Sequence, residues 1–95
     1  MGNFILTFRG SADRTVSEAD GAAWMAWFGE LGAAIVDPGS QVGETTTLGA
    51  GPSSSVVSGY SIIQAEDLDA AIALAEGCPG LSQGGGVEVG ALIAM

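Results

Sequence analysis

Two stretches of strand-like alternation bracket this chain and two stretches of helical period lie between them, an order that narrows the fold more than any other feature. Phe4, Leu6 and Phe8 alternate with Ile5, Thr7 and Arg9, so a first strand is expected over residues 3–9. Towards the other end, Val87, Val89, Ala91 and Ile93 alternate with Glu88, Gly90 and Leu92 as a last strand. Residues 10–16 are polar and read as a loop. Ser17 followed by Asp20 resembles a capping box with Asp in place of Glu, which predicts a helix from about Glu18. Trp24, Trp27, Phe28, Leu31 and Ile35 then fall at i, i+3, i+4, i+7 and i+11, a single apolar stripe. Gly29 and Gly32 weaken this helix but let it come close to a sheet.

Asp37-Pro38-Gly39 reads as a break, with Asp37 suited to stabilising a turn before Pro-Gly. Residues 41–48, with three consecutive threonines, are expected to form a second strand, residues 49–54 a turn, and residues 55–64 a third strand. Glu66, Asp67 and Asp69 cluster where a helix N-terminus favours negative charge. Leu68, Ala71, Ile72 and Ala75 supply the apolar face of that second helix, and Gly77-Cys78-Pro79 ends it. The resulting β-α-β-β-α-β order predicts an α+β, ferredoxin-like fold: a four-stranded antiparallel sheet with two helices on one face.

Such a sheet has one uncovered face. Phe4, Leu6, Phe8, Val87, Val89 and Ile93 form the apolar phase expected under the helices, while Ile5, Thr7, Arg9, Glu88, Gly90 and Leu92 form a mixed phase. Charged residues are only 14% of the chain against 47% hydrophobic, where soluble monomers carry about 25% charged residues. A core in 95 residues is also small, since chains of this size bury only about 60–65% of their extended surface. All three observations point to a homodimer packed sheet against sheet, built from a single domain spanning residues 1–95.

The formal net charge is −9, and Arg9 and Arg14 are the only basic side chains. Nucleic-acid binding is therefore not expected, because neutralising phosphates takes several Lys or Arg. Attraction to an anionic membrane fails for the same reason. Cys78 stands alone, which rules out an intrachain disulfide. The opening residues lack the basic and apolar regions of a signal peptide, and no apolar run is long enough to span a bilayer, so the chain reads as cytoplasmic.

Gly59-Tyr60-Ser61-Ile62-Ile63, Ala65-Glu66-Asp67-Leu68-Asp69-Ala70-Ala71, Gly77-Cys78-Pro79 and Gly86-Val87-Glu88-Val89 resemble motifs of the YCII-related family. The opening strand and the tryptophan-bearing helix fit more loosely. The resemblance implies a dimeric α+β barrel, two ferredoxin-like sheets facing each other. It leaves chemistry open, with scattered links in the family to degradative lyase-type reactions. Many relatives carry Asp-Gly-Pro-Phe before the third strand, where this chain has Gly49-Ala50-Gly51-Pro52-Ser53. The family's proposed His–Asp dyad has no counterpart, because the sequence contains no histidine.

Without His or Lys, the usual serine and cysteine hydrolase mechanisms, Schiff-base chemistry and most transition-metal sites are not expected, and no cofactor or metal is implied. Arg9 and Glu88 are the leading candidates, expected close together on the mixed face of neighbouring strands. They read either as a couple that binds a small acid or moves a proton, or as a structural cross-strand ion pair at the dimer interface. Tyr60 is a candidate cavity or interface residue. Trp24 and Trp27 could roof an apolar pocket, though their spacing is that of core residues. Cys78 reads as a small buried hydrophobe. Gly84-Gly85-Gly86 precedes a strand and no basic residue, so it reads as a turn permitting close dimer approach and not as a phosphate loop. Ser53-Ser54-Ser55 lacks the surroundings of a nucleophile elbow. The expected function is a YCII-like homodimer binding a small acidic or aromatic metabolite. The alternatives are a cofactor-independent lyase or isomerase using Arg9 and Glu88, and an accessory protein acting through its acidic helices.

Overall fold

The computed structural model describes residues 1–11, 18–51 and 55–93. Within them run β1 (Gly2–Gly10), α1 (Glu18–Leu31), β2 (Ile35–Gln41), β3 (Val56–Ala65), α2 (Leu68–Ala75) and β4 (Gly86–Ala91). Short 3-10 turns at Gly32–Ala34 and Pro79–Ser82 follow the two helices. The Ser17 cap expected for α1, most of the loop before it, and Pro52, Ser53 and Ser54 lie outside the described residues. The four strands form one sheet in the order β2-β3-β1-β4, every pair antiparallel. This is the ferredoxin-like layout expected from the order of elements.

The alternation in β1 explains its central place. Phe4, Leu6 and Phe8 are at most 5% exposed and meet Trp27 and Leu31 of α1 and Ala71 and Ala75 of α2 in one cluster, so both helices cover the same face. Leu6 and Ile63 are fully buried at its middle. Phe8, Trp24 and Trp27 pack edge to face, with ring centroids 4.9–5.8 Å apart, an arrangement that adds about 0.5–1.5 kcal/mol per pair to the burial itself. The Trp27 indole N–H donates to the Leu74 carbonyl at 3.3 Å and the Trp24 N–H to Gln83 Oε1 at 3.2 Å. These two bonds tie α1 to α2 and to the turn that follows it.

Helix α2 starts where its acidic residues predict. The Asp67 carboxylate caps it, accepting from the Ala70 N–H at 2.8 Å. Its inward face is rotated from the expected one, however. Ala71 and Ala75 are buried and Ala70 and Leu74 pack beside them, whereas Leu68 and Ile72 are 45% and 38% exposed. Alanines fill the contact with the sheet beside Leu74, and Leu68 and Ile72 face outward.

The largest departure from expectation is β2. It occupies Ile35–Gln41, and the residues read as a break lie inside it, while Thr45, Thr46 and Thr47 fall in an exposed connection. Ile35, read as the last residue of the helical stripe, opens this strand opposite Ile63. A Pro is tolerated because β2 is an edge strand, and the pairing slips on both sides of Asp37 to accommodate it. Asp37 Oδ1 accepts from the Gly39 N–H at 2.8 Å, and the Ser61 hydroxyl donates to the Pro38 carbonyl at 2.7 Å. Gly39 has φ +75°, and a Cβ there would collide with the Tyr60 carbonyl. The kink therefore requires glycine.

Strand β4 ends earlier than expected. Its ladder closes at Phe4↔Ala91, and the Leu92 N–H donates to the Asn3 carbonyl at 3.0 Å. Ile93, assigned to the core from sequence, is 83% exposed. In the glycine run before β4, the tight approach is internal to the chain: a Cβ on Gly85 would press on the Arg9 carbonyl.

Candidate functional site

The strand register gives the uncovered face of the sheet in rows. One row runs Gly90, Ile5, Ile62 and Asp37; the next runs Glu88, Thr7, Tyr60 and Ser40; the last holds Gly86, Arg9 and Val57. Arg9 and Glu88 thus share this face one row apart, as neighbouring antiparallel strands dictate. Their side chains do not join. Arg9 Nε donates to Ser55 Oγ at 3.0 Å and its Nη2 to the Ser55 carbonyl at 3.2 Å. Ser55 leads into β3, on the side of β1 opposite Glu88, so the guanidinium is drawn away from the carboxylate. Glu88 is exposed. Tyr60 stands half-buried on the same face.

A second feature lies on the helical side, at the β2 end of the sheet. Here α1 stands off from the strands and leaves a cleft of about 440 Å³, within the range of small-molecule sites, about 300–1,000 Å³. Gly21, Trp24, Met25 and Phe28 of α1 form one wall; their i, i+3, i+4, i+7 spacing puts them on one helix face. Pro38, Gly39, Ser40 and Gln41 of β2 and Ser58, Gly59, Tyr60 and Ser61 of β3 form the other, with Phe8 of β1 between them. The β2 kink shapes this second wall, and the Ser61–Pro38 hydrogen bond holds it in place.

Among the described residues the lining contains no carboxylate, guanidinium or thiol. Its hydrogen-bonding side chains include the hydroxyls of Ser58 and Ser61 and the Gln41 carboxamide; Ser40 and Tyr60, which also border it, share a register row on the uncovered face. Ser61 is fully buried and already donates. The side chains of Ser40, Gln41 and Ser58 have no hydrogen-bond partner among the described residues. Such a site can bind and orient a molecule, and among the described residues its lining holds no carboxylate or imidazole. Among the described residues, no three His, Cys, Asp or Glu side chains converge as a metal site would require.

Of the residues singled out in the sequence, Tyr60 lines the cleft and Arg9 and Glu88 do not. Trp24 contributes to the cleft wall, whereas Trp27 is 4% exposed in the core beneath it. Cys78 is buried beside the same core, and desolvation pushes its thiol pKa up despite backbone hydrogen bonds from Gly80 and Leu81 that act the other way. Sequence reading missed Gly21, Met25, Ser40, Gln41 and Ser61. The helix residues carried a legible signal, a second stripe beginning at Gly21 beside the core stripe. The strand residues carried none, because their placement depends on the kink in β2.

Among the described residues, no helix is long and apolar enough to cross a membrane. No family model, no curated protein and no solved structure matches the chain.

Proposed function

We propose that this protein is a YCII-like homodimer that binds a small, largely apolar or aromatic metabolite in the cleft between α1 and the β2–β3 edge. The observation that carries the reading is the cleft itself: about 440 Å³, with Trp24, Met25 and Phe28 along one wall and hydroxyl and amide groups along the other. A concave, mainly apolar site with a few convergent polar groups is the common form of a ligand pocket. The YCII resemblance rests on the motifs in residues 59–89, and the ferredoxin-like strand order accords with it.

Pairing through the open sheet face is supported by surface area and by composition. The chain exposes 6159 Å², whereas a compact monomer of its mass exposes about 5,000 Å². The exposed connection between β2 and β3 and the bare side of the two-layer sheet both add to that area. Ile5, Thr7, Tyr60 and Ile62 form the middle of that face, with Arg9 in the next row and Glu88 and Asp37 on the two edge strands. Its uncharged middle suits a second copy, and the two sheets together would make the dimeric α+β barrel. The cytoplasm is the proposed compartment, in keeping with a single buried cysteine.

Thermal-shift screening of the intact protein against small aromatics and organic acids tests the binding role, because a ligand of the native state raises the apparent Tm. An aromatic that raises Tm in proportion to the logarithm of its concentration is the expected result. A panel without any stabilising compound would remove the reading.

A further inference from the structure

The two cleft walls differ in chemistry, and the difference specifies a ligand class more narrowly than the binding role on which it rests. On the α1 wall, the only strong donor among the described lining residues is the Trp24 indole N–H, and Gln83 already holds it. Trp24 and Phe28 have centroids 6.2 Å apart with planes inclined 36°, so this wall offers ring surface and the Met25 thioether. On the opposite wall, Gln41 and Ser58 carry groups that both donate and accept and have no hydrogen-bond partner among the described residues. Among the described residues the lining has no basic group, and the chain bears a formal charge of −9.

We propose that the cleft selects an uncharged, flat aromatic molecule with a hydrogen-bonding edge, and discriminates against the corresponding carboxylate. The ring lies along Trp24 and Phe28, and its polar edge faces Gln41 and Ser58. A hydroxyl and a carboxamide can satisfy a neutral amide or phenol from either direction. A carboxylate would meet no cation among the described lining residues to replace its hydration, in the field of an acidic protein, which makes its transfer unfavourable. The molecule acted on or carried here is therefore neutral, and the acidic metabolite expected from Arg9 is excluded from this site.

Calorimetric titration of the intact protein at pH 7 with 2-naphthamide and 2-naphthoate, a pair alike in shape, tests this. The amide is expected to bind at least tenfold more tightly than the acid. Gln41→Arg places a cation on the polar wall at an exposed position and is expected to raise naphthoate affinity at least tenfold. Gly21→Leu fills the cleft from α1, where a Cβ meets nothing within 4 Å, and is expected to abolish amide binding while leaving the Tm of the free protein unchanged or higher. Naphthoate binding as tightly as naphthamide in the unaltered chain would overturn the charge selection and leave the cleft a binding site. Retained amide binding in Gly21→Leu would overturn the location. No binding of either compound would overturn the binding role and this inference with it.

Discussion

Four side chains show how burial and partnership fix what single residues do here. Trp27 is 4% exposed and packs against Phe8, Trp24 and Phe28. Trp27→Ala should cost about 3–5 kcal/mol, measured as the shift in a denaturant midpoint. Asp67 caps α2 through the Ala70 N–H, and Asp67→Ala should cost about 1 kcal/mol in the same assay. The raised pKa of Cys78 sets a pH dependence of definite sign. Its thiol holds its proton to higher pH in the folded chain than in the unfolded one, so between the two pKa values the native state binds more protons. Stability is accordingly full below the unfolded value, near the ordinary 9.0, and falls as pH rises through the folded value. Tm measured from pH 8 to 11 should decline, and Cys78→Ala should lose part of that decline. The Arg9 guanidinium, held by Ser55, serves the joint between β1 and the entry to β3. Arg9→Ala should therefore lower Tm modestly and leave ligand binding in the cleft unaltered.

Among the elements, those whose sequence pattern is self-sufficient were legible. The alternation in β1 and the stripe from Trp24 to Leu31 each mark a buried face directly, and both stand where the pattern puts them. Edge strand β2 was not legible. Asp37-Pro38-Gly39 has turn chemistry, and nothing local reveals that Ser61 and Tyr60, on another strand, hold it in the sheet. Thr45, Thr46 and Thr47 have strand propensity but no partner strand, and propensity without pairing leaves them in an exposed connection. The cleft was missed for the same reason, since one of its walls is built on that kink. Gly39→Ala should thus destabilise the protein by more than about 1 kcal/mol, or roughly 4–8 °C or more in Tm for a domain of this size. A Tm equal to that of the unaltered protein would mean that the kink is not tight.

At the scale of the molecule, a two-layer fold leaves one face of its sheet bare. The low fraction of charged residues and the small core, both evident in the sequence, agree with the area exposed by the single chain. Sedimentation at micromolar concentration should give twice the chain's 9.4 kDa mass, and a single-chain mass there would remove the proposed pairing. Charge at Ile62, in the middle of the face, should shift the equilibrium to monomers without unfolding them. The two faces would then divide the work, the open one for assembly and the helical one for ligand. That division is tested most directly by NMR titration of the labelled protein with 2-naphthamide. The largest shift changes should fall on Trp24, Phe28, Gln41 and Ser58; changes centred instead on Arg9, Glu88 and Thr7 would contradict the account.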